Sequence, residues 1–491
     1  MDALVARERL ETGLAKLQEQ EADWMELEQY HRGEHDLPFA PKGISHEYKD
    51  LMEISKAPWL RLVTKTPVQR LRVDGIRTTR SADADEDRWL NVWKANGLDS
   101  RQRVVYTDAV VHGRGIFGVW PNVQDKSKPI VRPESPRSIY IRPKDDDPFE
   151  SDWAIKAFGA TGAKWNDANP VNTAIIYDET SFVRFERDGD DWIVRNSGVN
   201  PLGKIPFVEF SPSVDAEGRH ESMIRPLIPM QKSIDVLRFD LLLAAQFAAY
   251  RQRIVTGYDP VIRDPETGEP MWKKGPDGNI LLDPNGNPMP QVSSPGRPGV
   301  DRMMIFDGAD AKVFDLPESN LSNYVTVVNN LVQHLAAVSQ VPPQYLLGGL
   351  ANLSGEALAA AESTLAALVA DMQLSFGASF EQVMTLAGIA AGDDDMPSEV
   401  IWGDGQARSF SQTVDGIQKL VSIGFPREAG FEMLPSATLE KVRRWMQMIE
   451  EEAENPYLER LSGKDNFASD SGGGLPEDPD EGTAGGDEST A

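Results

Sequence analysis

The sequence predicts an α+β chain in which helices open and close the molecule and short antiparallel strands lie between them. Three observations predict it. Apolar residues recur at helical spacing over residues 2–30, 47–72 and 86–112, and again over 226–253, 318–340 and 355–390. After Gly113 the texture changes to short β-like runs, up to Phe210, separated by Gly, Asn, Asp and Pro. A Pro/Gly-rich stretch, 254–312, interrupts the later helices with the turn signals DPETGEP, GPDGN and DPNGNP. At 491 residues the chain exceeds one ordinary core, so two to four subdomains are expected.

The first helix aligns Leu4, Leu10, Leu14, Leu17, Trp24 and Leu27, and Gly33 and Pro38 end it. The second carries Trp59, Leu60, Leu62 and Val63; the third carries Trp89, Leu90, Trp93, Val104, Val105 and Val110. Strands are expected at 116–120, 130–132, 138–141, 153–158, 173–177, 182–186, 192–194 and 207–210. The helix from near Pro226 to about Arg253 holds Met230, Ile234, Leu237, Leu241, Leu242, Ala245 and Ala249. At the α-helical rise it is roughly 40 Å long. Residues 318–340 put Leu321, Tyr324, Val328, Leu331, Leu335 and Val338 on one face. The other face, with Asn323, Asn329, Asn330, Gln333 and Gln340, is polar but uncharged. The Ala-rich helix 355–390 contains Gly377, where a bend is expected. Glu399–Trp402 reads as a strand, 411–424 and 436–454 as helices, and 463–491 as a disordered acidic tail. No internal repeat is evident.

Net charge is −27 at pH 7, and residues 465–491 hold only acids among their charged residues. An acidic surface does not attract phosphate or anionic lipid, which argues against a conventional nucleic-acid or membrane-surface binder. It would instead prevent sticking wherever DNA must slide past. The absence of cysteine excludes disulfides, thiolate catalysis and Cys-ligated metal. The opening MDALVARERLETGL has no apolar signal core. The most apolar stretch, Leu241–Ala249, is too short to span a bilayer. A soluble, intracellularly made protein with no membrane partner is therefore expected.

Three motif matches read as coincidences. His31-Arg32-Gly33-Glu34-His35 fits the H-x-x-E-H zinc pattern, but Gly33 inside it and Pro38 after it favour a turn over one helical face. Gly113–Gly118 fits G-x-G-x-x-G but follows a helix and opens a strand, the reverse of a dinucleotide site. Asp83, Asp85 and Asp87 alternate as in a calcium loop, with Arg88 where that loop needs Gly, so a solvated acidic loop is expected. There is no P-loop, and His112, His220 and His334 are isolated in sequence. No catalytic residue, cofactor or metal is assigned.

Six segments, in order, resemble the portal proteins of tailed double-stranded DNA bacteriophages of the siphovirus type. They are Tyr30–Pro38 (YHRGEHDLP), Arg70–Ile76 (RLRVDGI), the helix-to-strand turn Ala109–Val119, and His220-Glu221-Ser222 leading through a helix to Arg253–Gly257. The last two are Pro342-Pro343 with Asn352–Ala357 (NLSGEA), and Lys419–Pro426 (KLVSIGFP). Together they cover about residues 25–460.

The resemblance implies a portal fold and a dodecameric ring at one capsid vertex. Residues 1–220 would form a wing, 221–253 and 318–340 two long stem helices, and 254–317 a small β-rich clip. Residues 341–402 would hold a tunnel loop, a long kinked helix and a strand, and 403–462 a helical crown. Ile234, Leu237, Leu241, Leu321, Val328 and Leu335 would form the contact between subunits. Pro342, Pro343, Gln344, Tyr345, Gly348, Gly349, Asn352 and Ser354 would form the loop nearest DNA; with no Lys or Arg in 341–357, it would guide DNA without trapping it. Trp272, Lys273, Lys274 and Asn279 would dock the connector. The implied partners are other copies of the chain, the major capsid protein, the terminase large subunit, a head-completion or adaptor protein, and double-stranded DNA passing without sequence specificity. The implied location is the virion vertex, with host cytoplasm during assembly. The alternatives are a zinc-dependent hydrolase using His31, Glu34 and His35, and a virion scaffold or adaptor that is not a portal.

Overall fold

A computed structural model describes residues 1–37, 47–78, 81–159, 171–249, 253–256, 259, 261–293, 312–315, 321–348, 355–393, 397–403, 410–434, 437 and 439–453. Contacts divide the chain into two units, Met1–Ala407 and Arg408–Ala491. The larger unit opens with helices α1 (Ala3–Arg32), α2 (Glu47–Ser55) and α3 (Trp59–Val68), then strand β1 (Val73–Thr78) and helices α4 (Ala82–Arg88) and α5 (Leu98–His112). Eight strands follow: β2 (Gly115–Trp120), β3 (Ile130–Glu134), β4 (Ile139–Pro143), β5 (Ser151–Gly159), β6 (Val171–Tyr177), β7 (Ser181–Asp188), β8 (Asp191–Val199) and β9 (Phe207–Phe210). Next come α6 (Ile228–Ala249), β10 (Arg253–Thr256), β11 (Lys312–Asp315), α7 (Ser322–Val338), α8 (Pro343–Leu347), α9 (Gly355–Ala391) and β12 (Ser398–Trp402). The smaller unit holds α10 (Phe410–Ser422), α11 (Arg427–Glu432) and α12 (Leu439–Ala453).

The helices stop where backbone chemistry stops them. In α1, Ala6, Leu10, Gly13, Leu17, Trp24, Leu27 and Tyr30 form one buried stripe, and Gly33 closes the helix with its N–H on the Gln29 and Tyr30 carbonyls. The expected helix 47–72 is two helices. Pro58 lacks the N–H that a continuous helix would use and restricts the residue before it. The expected helix 86–112 is likewise divided, with a wide π-type turn at Trp89–Lys94 and a left-handed Gly97 before α5. Asp83, Asp85 and Asp87 lie in α4, not in a loop: Ser81 caps that helix, and Asp85 accepts bonds from the Thr78 N–H (2.6 Å) and hydroxyl (2.7 Å). The helix expected to reach about Arg253 is described as α6 as far as Ala249, and Arg253–Thr256 is paired as a strand.

Among the described residues all the strand pairing is antiparallel. β4-β5-β6-β7-β8 is a five-stranded meander, β3-β2-β9 is a three-stranded sheet, and β1-β12 and β10-β11 are two-stranded ribbons. One core lies between β2, β9, α5, α9 and the β1-β12 ribbon, and is dominated by Trp93, Tyr106, Phe117, Phe210, Phe376 and Phe380. A Cβ at Gly115, where α5 turns into β2, would lie 2.1 Å from the Val105 carbonyl oxygen, so that crossing requires glycine. The second core joins α1 to the five-stranded sheet and to the body-proximal parts of α6 and α7, through Ile234, Val332, Leu335 and Ala336. The long helix α9 runs as one helix through Gly377, where a Cβ would make only an ordinary contact, 3.6 Å, with the Trp402 indole nitrogen. In the smaller unit Phe431 and Trp445 meet edge to face at 6.2 Å, with Ile417, Ala437 and Val442 buried.

The Pro/Gly-rich insert does contain a repeat. Asp264-Pro265, Gly275-Pro276 and Asp283-Pro284 each open a tight turn that closes on a left-handed glycine, Gly268, Gly278 or Gly286. The strands between them close two rings of backbone hydrogen bonds. In one, Ile262 donates to Gln291 (2.8 Å), Gln291 to Met271 (2.6 Å) and Met271 to Ile262 (2.8 Å). In the other, Lys273 donates to Met289 (2.9 Å), Met289 to Leu281 (2.8 Å) and Leu281 to Lys273 (2.9 Å). The result is a three-sided β module, invisible to a search for long repeats because only the turns recur.

Candidate functional site: the α6–α7 hairpin and the turn that follows it

Helices α6 and α7 pack against each other, and α2 packs on another side of α6. Along α6, Gln231, Ile234, Asp235 and Phe239 are buried, whereas Leu237, Leu241, Leu242 and Leu243 are only half-buried. Along α7, Val332, Leu335 and Ala336 are buried, Leu321, Val328 and Leu331 are half-buried, and Val325, Val327 and Val338 are exposed. The expected subunit-contact set is therefore corrected in part. Ile234 and Leu335 are spent entirely in the chain's own core, while Leu237, Leu241, Leu321 and Val328 keep surface available to a neighbour.

The α6 helix is fixed to the body by a buried polar cluster. Asp235 Oδ2 lies 2.8 Å from His35 Nε2, and its Oδ1 accepts from Gln231 Nε2 (2.9 Å) and the Ala57 N–H (3.3 Å). Gln231 Nε2 also donates to the Ala57 carbonyl (2.6 Å). The Tyr30 ring stacks on His35 at 4.4 Å, and Lys56 Nζ donates to the His35 carbonyl (3.0 Å). His31 points elsewhere, with Nδ1 3.0 Å from the Thr64 hydroxyl. The two histidines of the H-x-x-E-H match thus serve different partners, one on α3 and one on α6. No group of three or more His, Asp or Glu placed to hold a metal occurs among the described residues.

Beyond α7 the chain turns sharply at Gln340, the non-glycine residue at φ +57, and α8 begins at Pro343. Of the residues expected to meet DNA, Gln344 is buried and Tyr345 is exposed but hydrogen-bonded within the subunit. Gln344 is 9% exposed, which corrects its expected place against phosphate. Tyr345 donates its hydroxyl to Glu362 Oε1 (2.8 Å) and accepts from Arg70 Nη2 (2.8 Å), whose guanidinium also lies 3.4 Å from Glu362. Burial first, and the Glu362 bond second, push the Tyr345 phenol above its usual pKa. Pro342 and Pro343 start α8 and Gly348 caps it at φ +68; Gly349, Asn352 and Ser354 lie outside the described residues.

In the three-sided module, no residue between 261 and 293 is buried. Trp272 and Lys274 are exposed and Lys273 is half-buried; Asn279 is exposed and donates to Asp277 Oδ2 (3.2 Å). Met271, Ile280, Leu281, Leu282, Met289 and Val292 are exposed with them, a larger apolar set than the sequence reading singled out.

Sequence reasoning missed Asp235, Arg70 and Glu362. Each is a single charged residue in an ordinary helical or loop context, and its partner lies 275 positions away for Arg70–Tyr345 and 200 for His35–Asp235. The one available signal was an acid, Asp235, directly beside the buried Ile234 on the apolar side of a helix.

The family described as phage portal protein, SPP1 Gp6-like, matches residues 15–455. The portal protein of Mycobacterium phage D29 is 27% identical over 414 residues, covering 78% of this chain and 77% of that protein. The portal protein of Mycobacterium phage L5 is 27% identical over 411 residues, covering the same 78% and 77%. Among solved structures, a chain in the neck of a native GTA particle computed with C12 symmetry aligns at TM-score 0.40 and 10% identity, over 79% of this chain and 96% of that one. A chain in the neck of an empty GTA particle computed with C6 symmetry aligns at TM-score 0.38 and 13% identity, over 79% and 96%.

Proposed function

The chain belongs to the SPP1 Gp6-like phage portal protein family, and we propose that its copies close into a ring through the α6–α7 hairpin, leaving an axial conduit for double-stranded DNA. The observation that carries this reading is the surface the hairpin leaves uncovered. Leu241, Leu242 and Leu243 stay half-buried and Val325 and Val327 stay exposed on two helices that have already filled their own core. Apolar surface left uncovered on two packed helices is available to an interaction partner. A head-to-tail contact repeated with the right rotation gives a closed ring. The ring would be a dodecamer at one capsid vertex, seated among major capsid proteins. It would meet the terminase large subunit during packaging and an adaptor protein at the three-sided module, where Trp272, Lys273, Lys274 and Asn279 are displayed. The family is a structural one, and no enzymatic role is assigned.

Light scattering together with negative-stain imaging of one purified fraction tests the reading. An annular particle with a central hole of duplex width is expected, and Leu241→Asp should shift the population toward monomer. A wild-type chain that stays monomeric at every concentration, alone and with procapsid components, would overturn the ring.

A further inference from the structure

We infer that the outward face of α9 docks a second copy of the chain, and that the surface it meets is the outward face of that copy's α5; this rests on the ring reading above. Helix α9 carries no Lys, Arg or His in its 37 residues. Ala367, Ala370, Asp371, Leu374, Ala378 and Glu381 are exposed and follow one another at helical spacing down one side of it. Neither Asp371 nor Glu381 forms an ion pair among the described residues. On α5, Arg101, Arg103 and Val104 are exposed, and both arginines are likewise without an ion pair among the described residues. The acids of α5 do not neutralise them: Asp99 is paired with Lys94 (3.0 Å), and Asp108 is half-buried and already engaged within the chain.

The two faces look in opposite directions. The Tyr106 ring of α5 stacks on Phe376 of α9 at 5.3 Å, so the helices face each other there across the first core. Leu374 lies two residues before Phe376, and Val104 two before Tyr106, in each case just over half a turn round the helix. They are accordingly exposed, at 77% and 50%. A head-to-tail contact needs two different surfaces on one subunit, whereas a two-fold contact uses one patch twice. Charge then selects which surface meets which. An ordinary solvated face of a long helix gains from acids and bases one turn apart, and α9 offers acids alone. Laid against a second α9, it would set acid against acid. Laid against Arg101 and Arg103 it finds the opposite charge, with Leu374, Val104 and the small alanines free to come into contact. Ion pairs of this kind add modest affinity; they chiefly choose the partner, fix the register and speed encounter. In a ring they direct each subunit to its neighbour in the same sense, which non-directional apolar burial along the hairpin does not by itself enforce.

The test reverses charge on each face of the full chain, Asp371→Arg/Glu381→Arg on α9 and Arg101→Glu/Arg103→Glu on α5. Because these side chains are exposed and unpaired, both variants should keep the wild-type circular dichroism spectrum. By light scattering at low salt, each alone should need about tenfold more protein than wild type to form rings, and the gap should narrow at high salt as the repulsion is screened. Mixed in equal amounts, the two should recover wild-type assembly, because around a ring with an even number of alternating copies an acidic face always meets a basic one. All of the changes combined in one chain should recover it as well. Wild-type assembly by either variant alone at low salt would overturn the inference. So would a mixture and a combined chain that both stay as impaired as the single-face variants. Wild-type protein without rings would remove the ring reading itself, and this contact with it.

Discussion

His35 Nε2 lies 2.8 Å from Asp235 Oδ2 with both side chains 3% exposed, joining the turn after α1 to α6 across 200 positions of sequence. Asp235 is also the acceptor for Gln231 and for the Ala57 N–H. Asp235→Ala would remove the acceptor shared by His35 Nε2, Gln231 Nε2 and the Ala57 N–H and should cost about 3 kcal/mol, the scale for breaking a buried pair from one side. Asp235→Asn keeps acceptor capacity and should cost less. Urea midpoints at neutral pH check this ordering; equal losses in the two variants would show that the cluster matters through packing alone.

Tyr345, Arg70 and Glu362 join α8, the segment after α3, and α9 through one phenol oxygen. Tyr345→Phe removes both hydrogen bonds while keeping the ring 5.9 Å from the Arg70 guanidinium, and should cost about 1 kcal/mol. Because Arg70 and Glu362 still face each other at 3.4 Å, the losses in Tyr345→Phe and Glu362→Gln should be strongly non-additive. A double-mutant cycle returning zero coupling would refute the triad as a unit.

The parts of this fold legible in the sequence were those fixed by local periodicity. The apolar stripe of α1, the strands β2 to β9 and the span of α9 follow from spacing alone. What was lost depended on distant partners. β1 exists as a strand because β12, more than 300 positions later, pairs with it from Val73 to Thr78, and the β1 segment is too short to announce itself. Gln344 read as a loop amide and is buried, because helix α8 forms where Pro-Pro and Gly-Gly suggested only a turn. The uncharged face of α7 was visible in the letters, but which side was outward required the packing of α6.

Acid should destabilise the larger unit through His31. Burial, followed by the nearby Arg61 and Arg32, holds its imidazole below the ordinary 6.5, with Glu28 opposing. The unfolded chain therefore takes up this proton at a higher pH than the folded chain. His31's contribution is complete above about pH 6.5 and is lost as pH falls toward the lower folded value. His31→Gln keeps a polar group opposite Thr64 but cannot titrate. Its stability should fall less steeply than wild type between pH 7 and pH 5.5 in chemical denaturation series. Parallel slopes would show that another group carries the acid response in that window.

The aromatic core predicts where α9 is held most tightly. Phe380 is fully buried and meets Phe210 edge to face at 4.8 Å, Trp93 at 5.4 Å, Phe117 at 5.9 Å, Trp402 at 6.1 Å and Tyr106 at 6.2 Å. These rings come from β9, the turn before α5, β2, β12 and α5, so one side chain on α9 touches both the three-stranded sheet and the β1-β12 ribbon. Phe380→Ala opens a cavity that rigid neighbours cannot refill and should cost about 3–5 kcal/mol. Phe380→Leu keeps most of the volume and should cost about 1 kcal/mol. Leu374, exposed on the same helix at 77%, supplies the control: Leu374→Ala should stay within about 0.5 kcal/mol of wild type. Denaturant midpoints of the three variants should therefore separate in that order. A Phe380→Ala midpoint close to that of Leu374→Ala would mean that α9 is held elsewhere along its length, with the ring cluster only filling space.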